Sequence, residues 1–126
     1  MIRPPCSTRL RLDRKLDAWD EMVSQQWNWI LVTVVGDEVI GVLQLTLIPG
    51  LSRSGTKRAQ IEGVRVKTSA RGQSVGKSLM QFALAISREH GCGLVQLTTD
   101  KRRPDAKRFY ESLGFEATHE GMKLVW

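Results

Sequence analysis

The chain has 126 residues, 41% of them hydrophobic and 25% charged, with a net charge of +6. This composition fits one globular domain spanning 1–126 and is too short for two independent cores. No apolar run approaches the roughly 20 residues of a membrane span, and the N-terminus lacks a signal-peptide core, so the expectation is a cytoplasmic protein.

The charged stretch 10–26 carries apolar residues at Leu12, Leu16, Trp19, Met22 and Val23. Spacings of three and four predict one amphipathic helix. Trp29–Val35 is β-branched and apolar, the pattern of a buried strand. Gly36-Asp37-Glu38 turns the chain, and Val39–Ile48 returns as the second strand of a hairpin. Pro49–Gly55 reads as a loop. Arg58–Val66 predicts a third strand, with Ile61 alternating against polar neighbours. The period then changes: Val75, Leu79, Phe82, Ala83 and Ile86 mark one face of a helix ending near Gly91. Leu94–Thr99 predicts another strand. Pro104 suits the first turn of a helix, with Ala106, Phe109, Tyr110 and Leu113 on its apolar face and Gly114 at its C′ position. Phe115–His119 and Met122–Trp126 predict closing strands. This order gives a mixed α/β domain with one strand–helix–strand crossover.

The positive charge suits an anionic partner, whether nucleic acid, membrane surface or a phosphorylated cofactor. It is clustered: Arg65, Lys67, Arg71, Lys77 and Arg88 lie in a stretch without an acid, and Lys101, Arg102, Arg103, Lys107 and Arg108 form a second group. No nucleic-acid-reading motif accompanies them, so neither nucleic acid nor membrane is expected as a partner. Cys6 and Cys92 lack metal-ligand spacing and read as thiols; no metal site is expected.

The chemistry centres on Glu62–Ser78. A strand runs into a glycine-bearing turn, and the turn runs straight into a helix. The first helical N–H groups lack internal partners and carry the positive end of the helix dipole. A pyrophosphate placed there is held by backbone amides. Gly72 and Gly76 allow close approach, and Arg71 and Lys77 add charge.

Arg71-Gly72-Gln73-Ser74-Val75-Gly76 resembles motif A of the Gcn5-related N-acetyltransferase (GNAT) superfamily, Gln/Arg-x-x-Gly-x-Gly/Ala. Ser74 stands where the family usually has Gly; as a good N-cap residue it fits the helix start, and its hydroxyl either crowds the pyrophosphate or donates to it. Downstream, Ala106-Lys107-Arg108-Phe109-Tyr110-Glu111-Ser112-Leu113-Gly114-Phe115 resembles the family's Ala-x-x-Phe-Tyr-x-x-x-Gly-Phe signature. The resemblance covers roughly residues 29–126. The family opens with a strand and two helices, whereas here Ile2-Arg3-Pro4 stands for the strand and one helix follows.

The resemblance implies a GNAT-like α/β (α+β) fold: a mixed, mostly antiparallel sheet flanked by helices, with the crossover after the phosphate loop and a shortened N-terminal helical region. It implies transfer of acetyl from acetyl-CoA to a primary amine of a small molecule or peptide, by direct attack in a ternary complex. Glu62 falls on the position of the general base; its alternative role is a structural partner for Arg65 or Arg58. Tyr110, the only tyrosine, falls on the general-acid position; its alternative is a core aromatic beside Phe109. The implied cofactor-binding set is Val64, Arg65, Val66, Arg71, Gly72, Gln73, Ser74, Val75, Gly76, Lys77, Ser78 and Arg103, the last standing where many relatives carry Asn. His119 reads as an acceptor-site or surface residue, and Trp19, Trp27 and Trp29 as an aromatic wall or core. Pro49–Thr56 sits where relatives contact acceptors. Few acids accompany Glu62, so a polyamine acceptor is not favoured. A second reading is a non-catalytic coenzyme A-binding sensor or interaction domain. Relatives often pair, and a homodimer is expected.

Overall fold

The computed structural model describes residues 6–126. The expected strand at Ile2-Arg3-Pro4 lies outside the described residues. Four strands form one sheet in the order β1-β2-β3-β4: β1 (Asn28–Val35), β2 (Glu38–Ile48), β3 (Arg58–Val66) and β4 (Leu94–Gln96). The first two pairings are antiparallel and β3–β4 is parallel. The helices are α1 (Cys6–Val23), the single turn α2 (Ser52–Gly55), α3 (Val75–Glu89) and α4 (Pro104–Ser112). Among the described residues no helix is long and apolar enough to cross a membrane.

One face of the sheet holds the core. Alternation along β2 sends Leu43, Leu45 and Leu47 to the same side. There they meet Ala59 and Ile61 of β3 and Leu79, Met80 and Ala83 of α3. Gly41 continues that row. A Cβ on it would meet Val75 Cγ1 at 3.0 Å and Leu79 Cδ2 at 3.5 Å, so the missing side chain sets how closely the start of α3 approaches the sheet.

Several expectations are corrected. β1 is an edge strand: Leu31 is its one buried residue, while Val32, Val34 and Val35 are exposed. The amphipathic helix forms, but Leu16, Trp19 and Val23 are about half exposed or more, because α1 touches the sheet only lightly, along β1. Phe82 is also exposed; Met80 and Ser87 take the core positions on α3 instead. The loop after β2 contains α2, with Arg53 and Ser54 at positive φ.

β4 stops at Gln96, and the closing strands at Phe115–His119 and Met122–Trp126 are absent. Phe115 packs against the core, but the chain beyond it lies exposed. A strand needs a neighbour for its backbone groups, and β4 pairs through three residues only.

Candidate active site

The phosphate loop has an unusual backbone. Gly72 has φ 80° and Ser74 has φ 61°, with Gln73 between them at negative φ. Alternation of hand in successive residues turns their N–H groups toward one side, the arrangement of an anion-binding nest. Ser74 is the N-cap of α3 and makes no side-chain capping bond. The expected hydroxyl cap is therefore corrected: Ser74 is left-handed, whereas a capping residue has extended backbone. The first bond of the helix runs from Ser78 N–H to Ser74 O at 3.0 Å. Among the described residues, the N–H groups from Gly72 to Lys77 donate to no backbone acceptor. The nest, the dipole end and the exposed side chains of Arg71, Gln73, Lys77 and Ser78 meet at one place. The loop therefore fits a pyrophosphate.

Gly76 joins this loop to the second signature. A Cβ there would lie 3.5 Å from Phe109 Cζ and 3.6 Å from Val66 Cγ2. The end of β3, the start of α3 and the α4 helix thus converge on one residue. Both distances are ordinary contact, which explains physically why either Gly or Ala suits the position. Gly72 differs: nothing lies within 4 Å of a Cβ there, so its requirement is conformational.

Tyr110 is held by Phe109 and Phe115, with ring centroids at 5.3 and 6.1 Å. It is a core aromatic by its ring, and its hydroxyl makes no hydrogen bond among the described residues. Burial pushes its pKa above the ordinary value, with Arg103 opposing. The hydroxyl stays protonated at neutral pH, as a proton donor must. Arg103 stands at the N-cap of the helix that carries Tyr110.

Glu62 sits just before a bulge. β2 and β3 pair as Gln44↔Glu62 and then Val42↔Arg65, so β3 carries one extra residue there. Gly63 takes φ 61°, the left-handed conformation typical of such a bulge. Before it, Ala59 and Ile61 face α3; after it, Val64 and Val66 do. Glu62 and Arg65 both point to the opposite face. Gln60 Nε2 donates to Glu62 Oε1 at 2.8 Å, and Gln96 Nε2 donates to Gln60 Oε1 at 2.9 Å. Among the described residues Glu62 forms no ion pair, so the structural role beside Arg65 or Arg58 is not what the structure shows. Beyond the bulge, Ile40, Val42, Arg65 and Lys67 line an open groove of about 240 Å³.

Other candidates fall elsewhere. Trp27 and Trp29 pack against the core and around His90, far along α3 from the loop. Trp19 and His119 are exposed. The reading of the sequence missed Gly41, Gly63 and Gln60. A glycine inside a strand pattern was the available signal for the first two; for Gln60 it was the two-residue spacing from Glu62 on one strand face.

Residues 2–115 match the model of the acetyltransferase (GNAT) family. The chain is 34% identical over 70 residues to N-acetyltransferase 8B of Homo sapiens, covering 56% of this chain and 31% of that protein. It is 32% identical over 82 residues to an aminoalkylphosphonate N-acetyltransferase of Salmonella typhimurium, covering 65% of this chain and 53% of that one. The chain thus spans about a third to a half of these curated relatives. A crystal structure described as a transcriptional regulator from Bacillus halodurans is 48% identical, with TM-score 0.86, covering 88% of this chain and 74% of that one.

Proposed function

The chain belongs to the acetyltransferase (GNAT) family, and we propose that residues 1–126 form one domain that transfers acetyl from acetyl-CoA to a primary amine of a small molecule or peptide. The observation that carries this reading is the convergence at Gly76 of the amide-lined loop and the helix bearing Tyr110. Gly72–Ser78, with Arg71 and Lys77, would hold the pyrophosphate, and Arg103 a further phosphate. Val64, Arg65 and Val66 would offer strand backbone to the pantetheine arm, as an edge strand receives another. When bound, acetyl-CoA supplies the activated acyl group.

Glu62 takes a proton from the amine nitrogen, leaving its lone pair free for direct attack in a ternary complex. The C–N bond forms as the C–S bond breaks, and Tyr110 gives its proton to the departing sulfur. The new amide nitrogen then loses its second proton, which returns through solvent to the Tyr110 oxygen, and Glu62 releases the first proton to solvent. The Salmonella relative is named for an amine acceptor of small size, which supports the small-molecule arm. In this reading the domain works in the cytoplasm without a metal. A homodimer belongs to the same proposal, supported by the exposed Leu16, Trp19 and Val23; a monomer mass in light scattering counts against it.

A thermal-shift scan tests cofactor binding: acetyl-CoA at 100–1,000 times Kd should stabilise by about 3–4 kcal/mol. No shift removes the proposal. Tyr110→Phe should lower turnover by about 10²–10⁴-fold with little change in acetyl-CoA affinity. Full turnover would remove the acid role.

A further inference from the structure

The sheet face away from α3 can be read row by row from the strand register. Asn28, Thr46 and Gln60 lie opposite one another; Ile30, Gln44 and Glu62 form the next row; Val32, Val42 and Arg65 form the third. Rows are about 7 Å apart along a strand. In a regular strand a residue three positions after Glu62 would face α3. The extra residue at the Gly63 bulge reverses that and returns Arg65 to the Glu62 face.

A carboxylate and a guanidinium therefore stand in neighbouring rows, yet among the described residues neither is in an ion pair. Lys67, next along the face, is paired with Glu38. Gln60 occupies Oε1 of Glu62 and leaves Oε2 for another donor. Arg65 borders the open groove together with Val42. Arg58, a third cation on this face, lies two rows from Glu62 on the far side of Gln60.

We propose that the acceptor is a small zwitterionic amine. Its nitrogen sits at Glu62, its carboxylate or phosphonate is bound by the Arg65 side chain, and a short carbon linker crosses Val42. The inference rests on the acetyl-transfer reading with Glu62 as base. It adds a role for the Arg65 side chain, whose backbone remains with the cofactor strand. A guanidinium binds such anions through paired N–H groups in a fixed fork.

The test uses four amines of similar length at saturating acetyl-CoA, followed by thiol release: β-alanine, 2-aminoethylphosphonate, 3-amino-1-propanol and 1,3-diaminopropane. Ratios of kcat/KM between amines cancel any effect on cofactor binding. At least one anionic amine should exceed the neutral one by about 10–100-fold, with the diamine lowest. Which anion leads tells carboxylate from phosphonate. Arg65→Met should bring the ratio close to one, Arg65→Lys should keep part of it, and Arg58→Met should leave it unchanged. A wild-type ratio near one, or a ratio unmoved in Arg65→Met, overturns the inference while acetyl transfer still stands. No thiol release with any of the four also overturns the inference, and the acetyl-CoA thermal shift then decides separately whether the acetyl-transfer reading stands.

Discussion

Ser74→Gly should make the protein more stable, although it removes a side chain from a helix start. Ser74 has φ 61° and ψ 19° and no capping bond. A left-handed residue with a Cβ costs about 1–2 kcal/mol. Glycine removes that strain but adds about 0.4–1 kcal/mol of unfolded-state freedom. The net gain is about 0.5–1 kcal/mol. Unfolding entropy near 2.1 cal/mol/K per residue gives about 0.26 kcal/mol/K for 126 residues. Tm should therefore rise by about 2–4 °C in calorimetry. Ser74→Ala keeps the Cβ and loses only the hydroxyl, so its Tm should stay within about 1 °C of wild type. Acetyl-CoA titrations of both variants separate the two possible hydroxyl roles: donation to the pyrophosphate predicts weaker binding, crowding predicts tighter binding. A lower Tm for Ser74→Gly, or a large loss for Ser74→Ala, would refute the strain argument and restore the hydroxyl as a cap.

Gly76→Ala should be tolerated, with Tm within about 2 °C of wild type, because both neighbouring contacts are at ordinary distance; circular-dichroism melts check it. Gly72→Ala should cost about 1 kcal/mol despite the empty space around it, since φ is 80°; equal stability in urea unfolding would contradict this. Gln60→Met should lower kcat by about 3–10-fold with acetyl-CoA KM unchanged, and should add nothing in a Glu62→Gln background. Additive losses would show that Gln60 does not act through Glu62. Because burial raises the Tyr110 pKa, its proton is retained to higher pH, so no basic loss of activity from Tyr110 should appear below about pH 10. A limb near pH 8–9 that vanishes in Tyr110→Phe would contradict this.

Strong periodicity and glycine placement made most of the core legible. The hairpin, β3, α3 and α4 follow the patterns of Val, Leu and Ile and the position of Gly114, which takes φ 97° at the C′ site of α4. What stayed hidden depends on partners. Met122, Leu124, Val125 and Trp126 have strand composition, but composition supplies no neighbour to receive their backbone groups. The stripe on α1 has the helical period, but period does not say what covers it. The phosphate loop was legible by its motif, while the strain at Ser74 was not: N-cap preference describes residues in extended conformation, and this one is left-handed.

The bulge at Gly63 shows how one residue decides what the site can do. Without it, Arg65 would face α3, where Val64 and Val66 now pack, and a guanidinium would enter apolar surroundings. An uncompensated charge there would be strongly unfavourable. With the bulge, the apolar pair closes on α3 and Gly76, and Glu62 and Arg65 share the open face. The same insertion therefore sets the amide-lined loop on one side and, in the proposed reading, the acceptor charges on the other. Gly63→Ala disturbs both through its φ of 61°, which predicts loss of stability together with loss of the anionic-amine preference. Loss of one without the other in paired melts and specificity ratios would show that the two faces are set independently.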